Sequence, residues 1–203
     1  MKINSFERLM VNNPIRNALM NATFRRFGEW SGTGRALDRV LEIGCGFGEG
    51  IRRIDANFSP REIVSFDLDE RMVAAAAKRI RDVRAKVDLS TGDAERIGFP
   101  DEHFDAVFEL TIFHHIPDWR AALGEVARVL RPGGIFYFED LLREFHFDVP
   151  VIRFFQSFTD HPWDTIPPKN DFLGALTDVG LHLIQVREPW VKSWVVGAAR
   201  KPD

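Results

Sequence analysis

Between residues 42 and 50 the chain reads EIGCGFGEG, a glutamate set two positions ahead of glycines at 44, 46, 48 and 50. Glycines at that density let a backbone turn tightly and let a ligand approach it closely. A dinucleotide fingerprint G-x-G-x-x-G would require glycine at position 49, where Glu49 stands. Glu42 and Glu49 flank the loop, and two anions at close range oppose a phosphate by roughly 1 kcal/mol each. A ligand of fixed positive charge suits this rim better than a pyrophosphate. Asp67 follows Gly44 by 23 residues, near the roughly 20 expected of an acid that accepts two ribose hydroxyls. Asp93 and Glu109 close two further apolar runs. His114 and His115 follow, and their side chains point in different directions, so at most one meets a reacting atom. His115 is the first choice for a general base and Glu109 the second, beside a plain packing role for the histidine pair. Cys45 has no histidine near it in sequence and reads as inert packing. His103, His146, His161 and His182 share no metal-ligand spacing with cysteines or acids, so no metal is expected.

These residues need a scaffold that gathers them at one edge, and the order of elements supplies it. Apolar strands are expected at 39–43, 62–66, 86–90, 104–110 and 135–139. Helices alternate with them. One follows the glycine loop, with Ile51, Ile54 and Phe58 on one side, and one is capped by Asp69, with Met72, Val73, Ala76 and Ile80 as its stripe. The clearest starts at Asp118 and carries Trp119, Ala122, Leu123, Val126, Ala127 and Leu130 at helical spacing, with the sequence RPGG ending it. At the N-terminus, Asn13-Pro14 reads as a cap and first turn, Ile15, Ala18, Leu19 and Ala22 as a stripe, Gly28 as the stop, and 30–35 as a loop. After the fifth strand come a helix near 170–179 and two strands, 181–187 and 190–199, close enough to pair as a hairpin. The implied fold is α/β: a doubly wound, mostly parallel, seven-stranded sheet with helices on both faces and an antiparallel C-terminal strand. In such a sheet, ligands bind beyond the carboxyl ends of the strands, where Glu42, Asp67, Asp93 and Glu109 stand.

The 203 residues read as a single domain. Its parts are an N-terminal helical cap (1–37), a cofactor-binding core (38–140), an insert (143–170) and a C-terminal helix and hairpin (171–203). The insert carries Pro150, Pro162, Pro167 and Pro168 and the set Phe145, Phe147, Phe154, Phe155 and Phe158, and reads as either a lid or ordinary packing. With 27 basic against 30 acidic residues, a net charge of −3 gives no general pull toward nucleic acid or an anionic membrane. Basic residues on separate helices, such as Arg52-Arg53 and Lys78-Arg79, read as solvated faces. One cysteine forms no internal disulfide, and no apolar run reaches the ~20 residues of a membrane span or resembles a signal peptide. A cytoplasmic monomer or homodimer is expected.

S-adenosylmethionine carries a sulfonium, an ammonium and one carboxylate, and no phosphate, which matches the rim. Four segments in order, VLEIGCGFGEG (40–50), IVSFDLDERM (63–72), GDAERIGFPDEHFDAVF (92–108) and HHIPDWRAALGEVARVLRPGG (114–134), resemble class I S-adenosylmethionine-dependent methyltransferases. The likeness is to the small-molecule type 11 group that includes the ubiquinone and menaquinone biosynthesis enzymes, and it covers 38–140. It implies that Glu42, Gly44 and Gly46 hold the methionine part of the cofactor and Asp67 the ribose. By the same resemblance Asp93 and Ala94 meet the adenine, Glu109 and Leu110 pass the sulfonium side, and Leu68 is a further cofactor-binding residue, with S-adenosylhomocysteine as product. The N/D-P-P-Y/F motif of members that methylate nucleobases or glutamine is replaced here by Glu109-Leu110-Thr111-Ile112. The expected activity is methyl transfer to a small molecule with an apolar or aromatic body. A catalytically silent cofactor-binding protein acting through a partner, and a protein methyltransferase, are the alternatives; an NAD-dependent dehydrogenase is opposed by Glu49 and the flanking acids.

Overall fold

A computed structural model describes residues 14–31, 37–143, 166–188 and 193–203. Seven strands form one sheet in the order β3-β2-β1-β4-β5-β7-β6. In chain order the elements are α1 (Pro14–Ser31), β1 (Arg39–Ile43), α2 (Glu49–Phe58), β2 (Glu62–Asp67), α3 (Glu70–Arg79), β3 (Lys86–Thr91) and β4 (Phe104–Leu110). After them come a 3-10 turn (Phe113–His115), α4 (Trp119–Val129), β5 (Leu130–Leu141), α5 (Lys169–Asp178), β6 (His182–Arg187) and β7 (Trp194–Arg200). The pairs β1–β2, β1–β4, β2–β3 and β4–β5 are parallel, and β7 runs antiparallel between β5 and β6.

Strands buried on both faces carry near-continuous apolar sequence, as β1 and β4 do. The edge strand β3 instead alternates half-buried and exposed residues, and its charged Lys86 and Asp88 discourage pairing with another chain. Helices cover two faces. Leu41, Ile43, Phe66, Phe136 and Phe138 pack against α4 and α5, while Val40, Ile63, Phe108 and Tyr137 pack against α1, α2 and α3. Asp118 caps α4 by accepting the Ala121 N–H at 3.0 Å, and Asp69 caps α3 by accepting that of Arg71. The whole stripe from Trp119 to Leu130 is buried, as its spacing requires.

Four details differ from expectation. Gly28 does not stop α1, which runs on to Ser31, so Trp30 and Ser31 lie in the helix and not in a loop. The buried stripe of α1 is Met20, Thr23, Phe24 and Phe27, with Ala18 exposed and Leu19 and Ala22 half-buried. Size decides the rotation. Phe27 reaches Tyr137 at a ring separation of 5.0 Å and Phe24 stacks on Phe108 at 6.3 Å, and burying a phenylalanine yields about 1.5–3 kcal/mol, far more than an alanine. The RPGG sequence ends α4 but belongs to β5, as an irregular stretch between the Phe104–Leu130 and Ala106–Ile135 pairs. In the hairpin, β6 starts at His182 and β7 at Trp194.

Asn13, the loop at 32–36 and most of the insert (144–165) lie outside the described residues. The insert's two ends are described and they meet. Arg143 N–H donates to Pro167 O at 2.8 Å and Lys169 N–H to Arg143 O at 3.2 Å, so the chain leaves β5 and returns to the same place. Asn21 of α1 bonds Arg53, midway along α2, and Phe24 lies beside Phe58, at its end. α1 therefore runs alongside α2 in the same direction, with its Pro14 end toward the carboxyl edge of the sheet.

Candidate cofactor and acceptor site

The glycine loop joins β1 to α2 at that carboxyl edge, passing through positive φ at Gly44 (79°), Gly46 (48°) and Gly48 (81°). Its N–H groups turn inward. Gly44 and Cys45 donate to Phe66 O, each at 2.9 Å, Gly48 to Cys45 O at 2.7 Å, and Gly46 to Asp67 Oδ2 at 3.0 Å. Four donors are thus occupied within the chain, which leaves a poor cradle for a pyrophosphate. Asp67 Oδ1 accepts from Asp69 N–H at 3.0 Å, so this carboxylate clamps the ends of β1 and β2 together. Each oxygen keeps a further lone pair for hydroxyl donors. A side chain at Gly46 would meet no protein atom within 4 Å, so the loop faces open space there.

Beyond Asp67, Leu68 is 69% exposed, an unusual position for a large apolar side chain and a flat wall for a ring. Asp93 is exposed and folds its own turn by accepting Glu95 N–H at 2.9 Å, while Ala94 is buried in the core. These residues line one rim, with Leu110 half-buried at the end of β4.

Glu42 is only 1% exposed and accepts from Ser65 Oγ at 2.7 Å. A Cβ at Gly50 would collide with Glu42 Oε1, so that glycine makes room for the carboxyl group. Burial, with Asp67 nearby and the Ser65 bond opposing, pushes the Glu42 pKa up to about 8. Glu49 forms ion pairs with Arg53 at 2.9 Å and Arg52 at 3.7 Å. The charge reading of the flanking acids is therefore corrected: one is protonated at neutral pH and the other is paired. The anionic group facing the loop is Asp67. Burial first, then Glu42 and Asp67, also raise the Cys45 thiol well above its ordinary range, in keeping with an inert side chain.

On the opposite face of the sheet, Glu109 is wholly buried. Its Oε1 accepts Ile112 N–H at 2.6 Å and Phe113 N–H at 3.4 Å, and its Oε2 has no hydrogen-bond partner among the described residues. Burial first, then Asp140, raises its pKa well above the usual carboxylate range against the pull of those N–H groups. Thr111, just before them, sits at φ 63°, a costly conformation for a β-branched residue, and donates its N–H to Glu139 O at 2.6 Å. His114, 7% exposed, donates its backbone N–H to Asp140 Oδ2 at 3.0 Å, and its Nδ1 contacts Asp140 Oδ1. His115 is half-buried, its ring centroid 4.0 Å from that of His114. The structure thus brings Glu109 and the histidine pair together and adds Asp140 and Glu139, which the sequence reading missed. Collecting acids at strand ends as far as the fifth strand would have found both. Among the described residues, no group of three or more His, Cys, Asp or Glu is placed to hold a metal, and no helix is long and apolar enough to cross a membrane.

Residues 41–138 match a family model described as a methyltransferase domain. Over 103 residues the chain is 39% identical to a phthiotriol/phenolphthiotriol dimycocerosates methyltransferase of Mycobacterium tuberculosis, a match covering 51% of this chain and 37% of that protein. A fatty-acid O-methyltransferase of Mycolicibacterium smegmatis is 39% identical over 102 residues, covering 50% and 36%. The match thus spans well under half the length of these relatives. Among solved structures, an S-adenosylmethionine-dependent methyltransferase from Aquifex aeolicus superposes with a TM-score of 0.74 at 19% identity, covering 98% of this chain and all of that one, and so shares the fold. With the sheet order and the rim, these likenesses support a class I S-adenosylmethionine-dependent methyltransferase of the type 11 group, the family match itself taking in residues 41–138.

Proposed function

We propose that this chain transfers a methyl group from S-adenosylmethionine to a small molecule with an apolar or aromatic body. The observation that carries the reading is the rim itself: Asp67 clamps the loop at Gly46, Gly46 opens on free space, and Leu68 stands exposed beside them. Those features fit a nucleoside that carries no phosphate. Asp67 would take the ribose hydroxyls, Leu68, Asp93 and Ala94 the adenine, and Glu42, Gly44 and Gly46 the methionine part, with Glu109 and Leu110 along the sulfonium side. Bound there, the cofactor supplies a methyl group already activated for attack, so the protein's task is alignment and exclusion of water. The relatives' names support a lipid-like acceptor, one of them methylated at oxygen. The insert supports it too, since both of its ends are fixed at the carboxyl end of β5, beside His114 and Asp140. The setting we infer is cytoplasmic.

Calorimetry with S-adenosylmethionine, S-adenosylhomocysteine and NAD, followed by transfer of labelled methyl to fatty acids, aliphatic alcohols and phenols, tests the reading. The first two ligands should bind, NAD should not, and at least one acceptor should take label. NAD binding without a response to S-adenosylmethionine would overturn it. Cofactor binding with transfer to a peptide alone would favour the protein-methyltransferase reading, and binding with no transfer a silent cofactor-binding protein.

A further inference from the structure

The end of β4 and the turn after it touch the glycine loop at both of its ends. A Cβ built at Gly44 would stand 2.9 Å from Ile112 Cγ1 and 3.0 Å from its Cδ1, and one at Gly50 would stand 2.7 Å from Leu110 Cδ1. Ile112 therefore packs on bare backbone where the loop begins, two residues before the glycine that opens on free space. Its own backbone is held on both sides: its N–H donates to Glu109 Oε1 at 2.6 Å, and its carbonyl accepts His115 N–H at 2.9 Å. Glu109 Oε1 also accepts Phe113 N–H at 3.4 Å, so one oxygen anchors two successive residues of the turn. Glu109 itself is fully buried, and its Oε2 has no hydrogen-bond partner among the described residues. A carboxyl group so enclosed presents no oxygen to a ligand on the rim. Burial favours its neutral form, so a glutamine amide would supply the same accepting oxygen without a change of charge.

We propose that Glu109 is a positioning residue: by holding the turn after β4 it seats Ile112 against Gly44 and so fixes the loop that receives the methionine part of the cofactor. The role rests on the cofactor reading above. It differs from that of a base or of a group touching the sulfonium, because Glu109 acts through Ile112 and meets neither cofactor nor acceptor. Rigidity is the physical reason. Gly44 and Gly46 stand at positive φ, and glycine backbone has many arrangements open to it unless neighbours select one. Phe66 O and Asp67 make that selection from the β2 side, and Ile112 makes it from the β4 side. A loop ordered before the ligand arrives loses less freedom on binding. Without the anchor, the two N–H groups would turn to other acceptors and Ile112 would leave its seat.

Two substitutions separate the anchor from the space it fills: Glu109→Met keeps length and volume but removes the acceptor, and Glu109→Gln keeps both. In calorimetry with S-adenosylhomocysteine, Glu109→Met should raise Kd about tenfold or more and Glu109→Gln by at most about threefold. Ile112→Ala should raise it comparably. Combining Glu109→Met with Ile112→Ala should add little, since residues linked by contact are not additive. In nitrogen-15 amide spectra of the ligand-free protein, the Gly44 and Gly46 signals should move in Glu109→Met and Ile112→Ala and stay in place in Glu109→Gln. Lower stability with Kd and these signals unchanged would overturn the proposal and leave Glu109 a packing role. So would equal losses in Glu109→Gln and Glu109→Met, or losses that add in the double variant. If Glu109→Met does not fold, Ile112→Ala decides, and an unchanged Kd with unmoved glycine signals there overturns the proposal. A wild type that does not bind S-adenosylhomocysteine would instead strike the cofactor reading, and the glycine signals would still test the link from Glu109 to the loop.

Discussion

Asp67 illustrates how much one side chain does at this rim. Its two oxygens accept Gly46 N–H and Asp69 N–H, so it fixes the loop before any ligand arrives, and its remaining lone pairs face outward. Asp67→Ala is expected to weaken S-adenosylmethionine binding by about 2 kcal/mol, roughly 30-fold, through lost charge-assisted bonds, measured by calorimetry. Gly46→Val should abolish binding while far-ultraviolet circular dichroism stays folded, because the side chain would fill the open space above the loop. Glu42 gives a pH signature. Its pKa rises from 4.5 to about 8 on folding, so between those values the folded chain holds a proton that the unfolded chain has lost. Stability from this group therefore falls as pH rises through that window, and the full cost is present above about 8. Glu42→Gln, neutral at every pH, should match the wild-type Tm near pH 4.5 and exceed it increasingly up to pH 8.5, read by thermal denaturation.

At the scale of elements, the turn after β4 is where local preference and tertiary demand conflict. Thr111 takes φ 63° because its N–H must reach Glu139 O and Glu109 must reach the next two N–H groups. Thr111→Gly removes the steric cost and should stabilise the fold by up to about 1 kcal/mol in urea denaturation. Where the two demands agree, the sequence was easy to read. α4 carries its cap, its stripe and its stop within residues 118–134. α1 was harder, since small alanines and bulky phenylalanines offer two competing stripes and only a partner chooses between them. Those partners, Phe108 and Tyr137, lie over eighty positions away in the chain.

Across the whole molecule, α1 works as part of one covering layer. Phe24, Phe27, Phe58, Phe108 and Tyr137 form a continuous aromatic cluster between α1, α2 and the sheet. Phe27 is fully buried in it, so Phe27→Ala should cost about 3–5 kcal/mol of unfolding free energy in urea. That is a large share of the 5–15 kcal/mol typical of a domain. With Asn21 of α1 bonded to Arg53 of the helix that follows the glycine loop, loosening this layer should also raise the cofactor's Kd.

The amino-acid sequence by itself determined the alternation of strands and helices, the glycine loop, and the acids ending β1 to β4. Each of these is a local pattern: periodicity, capping and turn chemistry act within about ten residues. Tertiary structure alone decided which histidine meets Asp140, since His114 and His115 are identical in type and adjacent in the chain. It also decided that Glu42 is protonated and Glu49 paired, because burial and the approach of Arg53 depend on how α2 seats against the sheet. Charge state at this rim is a property of distance and desolvation, and neither is written in residue spacing.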